Sequence, residues 1–395
     1  MAKFQQILFL FINCLFVAKY TSRLGVHPLV FIVIYILLAL TVWWLFIKKK
    51  DRIISANAKT LYFLTLSFVI LSILLLNYTI DPMKLQVDRW SAIHNFIHNL
   101  FNGVYPYAAH THLGGYGSPF PVWQVFHIPF YLLGNVGLGM LFSVVFLSVF
   151  LIWLFKDYYK ALVAIVLLAI SPAFWYEVAV RSDLIYNFIF CFIAVAFIHK
   201  KKYSIQNQAL GLGLMCGLFL STRFSIVIPF AIYLLPDFIR SDIKQKLVFG
   251  IVTILIFIIS FLPFIFWNYN TFLFSEYNPF ILQTRQGTLL EVLIIAFLGI
   301  YLSTKWKENI SNCYSYISIT LIVLVSVTFI HRMISDNFNN GLFDSAYDIT
   351  YFNMALPFII FSLATNDFFL FLTKLKSVDN KTDNLSKSKD LNENA

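Results

Sequence analysis

Asp88 and Arg89 stand side by side near the start of the longest interval without a predicted membrane span, which runs from Val87 to Trp123. An amphipathic segment follows them, and a proline-rich string closes the interval. A carboxylate at a water–lipid boundary can take a proton from an acceptor hydroxyl as a general base, and an adjacent arginine limits its pKa. The alternative role for Asp88 is the N-cap of the following helix. We expect this loop to be the reactive rim of a membrane enzyme, with Asp88 as a candidate for its base.

Asp81 is the competing acid in the same loop. Pro82 follows it directly, and it lies against the end of a predicted span, which is typical of a turn. Local sequence therefore favours a structural role for Asp81. The choice between Asp81 and Asp88 as the base nevertheless stays open at this point.

A second group of ionisable residues joins two predicted spans between Glu177 and Asp183, with Arg181 and Asp183 on either side of Ser182. An interfacial ion pair is one interpretation of this string. Ionisable residues at membrane depth are costly, however, and are functional candidates by default. We expect Asp183 to be a second acid near Asp88, as a metal ligand or an acceptor-binding group.

Arg223 interrupts a long apolar stretch from Ala209 to Leu235, at a predicted tight turn. Snorkelling of the side chain to the interface is one explanation. The other is an anion clamp, because a guanidinium near the membrane surface suits the phosphate of a lipid head group. Arg285 is a second candidate of the same kind.

A metal site is not identified by the sequence. His94 and His98 are four residues apart and would share a helix face, which is one arrangement that binds a metal. No acidic residue completes an HExxH pattern, so we favour histidines on a polar helix face. The four cysteines fall in or beside apolar runs and are expected to pack as small hydrophobic residues.

The elements that must position these residues are membrane helices. Of the 395 residues, 59% are hydrophobic and only 12% are charged, whereas soluble proteins are about a quarter charged. The 44 Phe and 21 Tyr residues suit lipid-facing and interfacial positions. We therefore predict an all-α, polytopic integral membrane protein.

Apolar runs of about 20 residues, or somewhat fewer where a neighbour helps, predict about twelve transmembrane helices. They lie near Ile7–Ala18, Leu29–Ile47, Leu61–Leu76, Val136–Phe155, Ala161–Trp175, Leu184–Ile198, Ala209–Ser221, Phe224–Leu235, Leu247–Trp267, Leu289–Ser303, Ile317–Ile330 and Tyr351–Leu372. We expect one transmembrane domain over residues 1–375, in which a large loop at about 77–135 carries amphipathic juxtamembrane helices. The polar residues 376–395 are expected to be a disordered tail.

Most of the 29 Lys and Arg residues fall on one side of this arrangement, which the positive-inside rule makes cytoplasmic. Both termini are then cytoplasmic, and every loop with candidate residues lies on the outer face of the cytoplasmic membrane. The same distribution accounts for the net charge of +10, so we do not expect a nucleic-acid partner. The last outer loop also holds residues without an assigned role, which are Arg332, Asp336, Asp344 and Asp348.

The order of these residues resembles the GT-C superfamily of polytopic membrane glycosyltransferases, which use polyprenyl-phosphate sugars. In the protein O-mannosyltransferase and aminoarabinose-transferase branch, an outer acid after an early span precedes an arginine, a glycine, a proline-rich string and a Phe-Gly. The chain matches this order at Asp88, Arg89, Gly103, Pro119, Pro121, Trp123 and Leu133-Gly134. The next outer loop of the family carries an Arg and an Asp, as do Arg181 and Asp183, and its Thr-Lys-Gly turn is similar to Thr222-Arg223.

The resemblance covers the layout of roughly residues 61–235 and includes departures. The second acid of the family's Asp-Glu pair is Arg89 here, and its Lys-Pro-Pro string is Ser118-Pro-Phe-Pro. Two extra spans precede the acid where many relatives have one. The string Gly103–Tyr107 is closer to the mannosyltransferase-like branches.

The resemblance implies an inverting transfer in which Asp88 is the base. It also implies that Asp183, together with Arg181 and Arg89, lies near the acceptor or a divalent metal. Arg223 and Arg285 would then bind the phosphate of the lipid-linked donor.

We therefore expect a hexosyltransferase that moves a sugar from a polyprenyl-phosphate carrier to a glycan, lipid or protein acceptor. A polymerase or ligase of lipid-linked polysaccharide shares the span number and the outer arginines, but such proteins usually place the large loop late in the chain. A lipid-linked glycan flippase or small-solute transporter would instead have charges within spans or paired broken helices near mid-membrane.

Overall fold

A computed structural model describes residues 1–55, 57–284, 287–306, 309–343 and 347–365. The described residues are helical, and the one extended pairing among them is an isolated bridge between His110 and Tyr116. The helices are α1 (Ala2–Thr21), α2 (Pro28–Lys48), α3 (Lys50–Ser55), α4 (Ala58–Thr79), α5 (Arg89–Phe101), α6 (Pro121–Phe126), α7 (Ile128–Leu132), α8 (Leu138–Phe155), α9 (Tyr158–Ala169), α10 (Pro172–Ala179), α11 (Leu184–Lys201), α12 (Ile205–Leu220), α13 (Val227–Arg240), α14 (Ile243–Trp267), α15 (Tyr269–Phe274), α16 (Pro279–Thr284), α17 (Leu289–Ser303), α18 (Ile310–Asp336), α19 (Phe338–Leu342) and α20 (Leu356–Thr365).

Seven helices in the described ranges are long and apolar enough to cross a membrane, and nine segments qualify if two bent helix pairs each count as one. The prediction of an all-α membrane protein is thereby confirmed. The predicted number of about twelve is not confirmed. Two of the remaining helices, α12 and α13, have 16 and 14 residues, whereas a span needs about 20. The last predicted span, Tyr351–Leu372, lies partly outside the described residues. The predicted tail at 376–395 lies outside the described residues.

The predicted amphipathic segment forms α5, within the large loop between α4 and α8. Its buried residues Ile93, Phe96 and Ile97 recur at helical spacing and form one apolar face. Phe96 packs against Tyr107 of the same loop and Phe264 of α14, with ring centroids 4.9 and 5.7 Å apart. We call the end of the helix bundle that carries this loop the loop face.

The chain reaches the loop face through a helix that is broken between α9 and α10. The axes of these two helices differ by 65°. Pro172 stands at the first turn of α10, where it removes a backbone donor, and the Ser171 side chain caps the helix. Asn13 of α1 stabilises the break, because its Oδ1 accepts hydrogen bonds from the Ser171 hydroxyl at 2.6 Å and the Ala173 amide at 3.2 Å.

Glycines bring α12 and α14 into close contact. A Cβ added at Gly217 would lie 2.7 Å from Ile256 Cβ and 2.8 Å from the Thr253 carbonyl oxygen. Gly213, one turn earlier on the same face, approaches Phe249 and Val252 in the same way. Small residues four apart are typical of close helix pairs in membranes. This contact fixes the end of α12, from which the Ser221–Arg223 turn continues to the loop face.

Gly217→Ala is expected to destabilise the protein by about 1–3 kcal/mol, because the added methyl group collides with backbone as well as with a side chain. The thermal unfolding midpoint of detergent-solubilised protein should fall accordingly. Gly250→Ala is the matched control, since a Cβ there meets nothing within 4 Å. Equal midpoints for the two variants would contradict the close α12–α14 contact.

Candidate functional site

Asp183 and Arg223 form a buried ion pair at the loop face. Asp183 precedes α11, and Arg223 lies in the turn between α12 and α13. Their side chains are only 1% and 5% exposed. The Asp183 Oδ2 atom accepts hydrogen bonds from the Arg223 guanidinium and, at 2.7 Å, from the indole of Trp123. Arg223 therefore lies inside the protein and does not snorkel to the interface.

Backbone contacts hold three segments together around this pair. The amides of Phe120 and Val122 donate to the carbonyls of Thr222 and Ser221, each at 3.1 Å. Gln283 of α16 extends the contact, because its side chain accepts from the Phe224 amide at 2.8 Å and donates to the Ser118 carbonyl at 2.7 Å. The turn that contains Arg223 is thus fixed between the first large loop and the segment after α14.

The pKa of Asp183 is lowered despite its burial. Burial by itself raises the pKa of Asp183, but the charges of Arg223 and then of Arg89 outweigh it and lower the pKa. The charge of Arg89 thus also acts on Asp183.

Arg89 itself pairs with Asp348 rather than with its neighbour Asp88. The Arg89 guanidinium lies 2.5 Å from the Asp348 carboxylate and 3.3 Å from the Thr350 hydroxyl, and it lies over the ring of Tyr351 at 5.5 Å. Burial raises the pKa of Asp348, but Arg89 outweighs this effect, so the net shift is downward. This contact joins the first large loop to the last one and gives Asp348 a role that the sequence did not indicate.

Asp88 occupies the N-cap position of α5, but its side chain makes no capping hydrogen bond. The half-buried carboxylate accepts instead from the Thr111 hydroxyl at 2.8 Å. Asp81 is exposed and accepts from the Met83 amide at 3.0 Å, which is the turn geometry expected for it. Asp88 is therefore held by a side chain of its own loop, next to the Arg89–Asp348 pair.

Arg181 does not contact the Asp183 carboxylate. Its backbone is left-handed, with φ at 52°, and its guanidinium donates to the carbonyls of Asn77 and Ile80 at 2.5 and 2.7 Å. These carbonyls belong to the end of α4, where helix acceptors lack internal partners. The geometry gives Arg181 a helix-capping role beside its predicted role near the acceptor.

Several buried polar residues were missed by the sequence analysis. The Glu177 carboxylate accepts from Asn353 at 2.9 Å and from the Ile185 amide at 3.2 Å. His127 pairs with Tyr186 through Nε2 and with the Trp123 carbonyl through Nδ1 at 2.6 Å. Burial lowers the pKa of His127 to about 4, which keeps the ring neutral. Tyr186 follows Asp183 by three residues, and residues three apart lie on the same helix face. This spacing was the sequence signal that could have identified Tyr186 as part of the site.

Two predictions about the site remain, which are the phosphate-binding role of Arg285 and a possible divalent metal. Arg285 lies outside the described residues, although Gln283, two positions earlier, contacts the turn of Arg223. Within the described ranges no group of three or more His, Cys, Asp or Glu side chains could hold a metal. Asp183 is already paired with Arg223, and Asp88 accepts from Thr111, so among the described residues neither acid belongs to a metal-ligating group. These residues do not fit a resident divalent metal.

Asp183→Asn is expected to lower the stability of the protein by about 3–5 kcal/mol, because it leaves the Arg223 charge buried without a partner. The double variant Asp183→Asn/Arg223→Gln should regain part of this loss, since both charges are then removed. The thermal midpoint in detergent measures both effects. Asp81→Asn is the control at an exposed acid, and a single variant at Asp183 as stable as this control would contradict the assignment.

Comparisons of the chain with protein-family models, curated proteins and solved structures found no match.

Proposed function

We propose that this protein is an integral membrane glycosyltransferase of the GT-C type. It moves a sugar from a polyprenyl-phosphate donor to an acceptor on the outer side of the cytoplasmic membrane. In this proposal the apolar helices make twelve spans, and the shorter α12, α13 and α20 cross with the help of their neighbours. Both termini are then cytoplasmic, and the loop face is the outer face.

The observation that carries the proposal is that a half-buried acid, Asp88, and a buried, partly unsatisfied arginine, Arg223, both lie at the loop face. Arg223 uses its terminal nitrogen for Asp183, but its buried Nε has no hydrogen-bond partner among the described residues. The buried Nδ2 of Asn187, one turn after Asp183, also has none. Unsatisfied buried donors are rare and call for an occupant. The guanidinium Nε of Arg223 and the amide Nδ2 of Asn187 are donors that suit the oxygens of a phosphate.

An apolar groove beside this site supports a lipid-linked donor. The groove has a volume of about 400 Å³ and lies between α8, α11 and the end of α12. Its walls are aliphatic and aromatic side chains, which are Phe146, Phe150, Trp153, Phe190, Ile193, Ala194, Phe197 and Phe219. Phe190 also contacts Trp123, with ring centroids 6.4 Å apart. Trp123 thus contacts both a side chain of the groove and Asp183. This arrangement suits a carrier that has an apolar chain and a phosphate head.

The chemistry follows from these positions. Asp88 takes the proton of the acceptor hydroxyl, and the acceptor oxygen attacks the anomeric carbon of the donor sugar. The bond from that carbon to the phosphate oxygen breaks, and the lipid phosphate leaves with the electron pair. Arg223 and the predicted Arg285 stabilise the added negative charge. One displacement inverts the anomeric centre. No step is assigned to a metal.

Asp88→Asn is expected to reduce sugar transfer by roughly 10²–10⁴-fold, because the amide keeps the shape and the bond from Thr111 but cannot take a proton. Transfer from a polyprenyl-phosphate hexose is measured at equal membrane abundance. Asp81→Asn serves as the matched control and should transfer at the wild-type rate. Loss of transfer in the control with normal transfer in Asp88→Asn would move the base to Asp81, and normal transfer in both would reject either acid.

Filling the groove tests the donor separately. Ala194→Phe should raise the KM for a long-chain polyprenyl donor roughly tenfold, because about 60 Å² of lipid contact is lost at ~25 cal/mol per Å². The kcat should change little. Val149→Phe is the control, since Val149 is 66% exposed on α8 and does not line the groove. Unchanged KM in both variants would exclude this groove as the donor site.

A transporter or flippase of lipid-linked glycans is the second candidate, and the 65° break between α9 and α10 favours it. Broken helices often line transport sites. The charged residues here, however, gather at the helix ends of the loop face. Reconstituted protein that translocates a fluorescent lipid-linked sugar without transferring it would support this candidate. A polysaccharide polymerase or ligase would instead show transfer of a whole glycan chain.

A further inference from the structure

A partly exposed cluster of aromatic side chains lies on the loop face. It is separate from the residues that are proposed to bind the lipid-linked donor. His110 and Tyr116 form the isolated bridge, and their ring centroids are 4.6 Å apart at 38°. Tyr277 lies 5.1 Å from Tyr116 at 54°. The Tyr116 hydroxyl donates to Glu276 Oε1 at 2.7 Å. We call His110, Tyr116, Glu276 and Tyr277 the aromatic platform.

The aromatic platform faces water. His110 and Glu276 are exposed, and the two tyrosines are half-buried. The rings meet at tilted angles, so neither neighbour covers Tyr116 by parallel stacking. Glu276 forms no ion pair among the described residues. An exposed patch with rings and an unpaired carboxylate is typical of a binding surface rather than of a packed core.

The aromatic platform adjoins the proposed base. The Gly115 amide, one residue before Tyr116, donates to the Thr111 hydroxyl at 3.0 Å, and this hydroxyl binds Asp88. A Cβ at Gly115 would lie only 3.3 Å from Asp88 Oδ2. The chain thus passes directly from contact with the carboxylate to the first ring of the platform. A ligand on these rings can extend a hydroxyl toward Asp88.

The chemistry of the platform suits a saccharide. A sugar ring has apolar C–H faces, which are attracted to the negative faces of aromatic rings, and hydroxyls at its edge. The Glu276 carboxylate accepts hydrogen bonds from such hydroxyls, and the imidazole of His110 can donate or accept one. An acyl chain would shield the Glu276 carboxylate from water without offering it a hydrogen bond, and an acidic sugar would be repelled by it.

We propose that the aromatic platform binds an uncharged saccharide as the acceptor of the transfer. This inference rests on the proposed function and narrows the acceptor from a glycan, lipid or protein to a glycan. Tyr116 and Tyr277 stack on a sugar ring, and Glu276 and His110 bind its hydroxyls. Asp88 then receives the proton of the hydroxyl that is glycosylated.

Saturation-transfer NMR on the full-length protein in detergent tests binding without any donor. The probes are the uncharged tetrasaccharides maltotetraose, mannotetraose and cellotetraose, with tetragalacturonic acid as the charged comparison. At least one uncharged probe should receive saturation, and Tyr116→Ala should raise its Kd at least tenfold. Tyr78→Ala is the control, because Tyr78 is 91% exposed and contacts no platform ring. Tyr116→Phe keeps the ring and should stay within about threefold of wild type even where Tyr116→Ala does not fold.

Glu276→Gln keeps an acceptor for the Tyr116 hydroxyl but removes the charge, so tetragalacturonic acid should now bind. If no saccharide binds, or if Tyr116→Ala binds it as tightly as the wild type does, the aromatic platform is not a saccharide site. If the same protein still transfers sugar to a lipid or peptide, the proposed function stands without it. If saccharides bind at the platform but the protein has no transferase activity, the saccharide site is supported and the proposed transferase function is rejected.

Discussion

The loop face depends on the buried ion pair between Asp183 and Arg223. Either charge alone would carry a large desolvation cost, so the two segments, 40 residues apart in sequence, must meet in the folded protein. Trp123 binds the same carboxylate oxygen and adds the first large loop to the pair. This one carboxylate therefore contacts all three elements that surround the candidate site, in addition to the backbone hydrogen bonds between the first large loop and the turn of Arg223.

The helix packing below this pair provides the rigidity that the pair needs. Gly213 and Gly217 let α12 approach α14 at backbone distance, which fixes the turn of Arg223. On the other side, the break after α9 turns α10 so that Glu177 and Asp183 reach the interior. Small residues and a proline break thus place charges where a straight, regular helix bundle would present apolar side chains to its neighbours.

The donor and acceptor parts of the proposed reaction differ in environment. The Asp183–Arg223 pair is buried and is linked through Trp123 to an apolar groove, which suits a lipid carrier and strengthens electrostatic interactions with its phosphate. Asp88 is half-buried and adjoins the partly exposed rings of the aromatic platform, which suits a water-soluble acceptor. Arg89, the neighbour of Asp88 in sequence, pairs with Asp348, and its charge also lowers the pKa of Asp183. One membrane face can in this way serve substrates of opposite polarity.

The sequence by itself determined that the protein is helical and membrane-embedded, and it identified which charged residues interrupt the apolar segments. Hydropathy and helical spacing are local properties, so they can be read without a fold. The partners of those charges were decided only by the tertiary structure. Arg89 follows Asp88 directly, yet successive residues at a helix start point about 100° apart, and Arg89 reaches Asp348 while Asp88 binds Thr111. Asp183 likewise pairs with Arg223 and not with Arg181, because long-range packing decides which buried charges can neutralise each other.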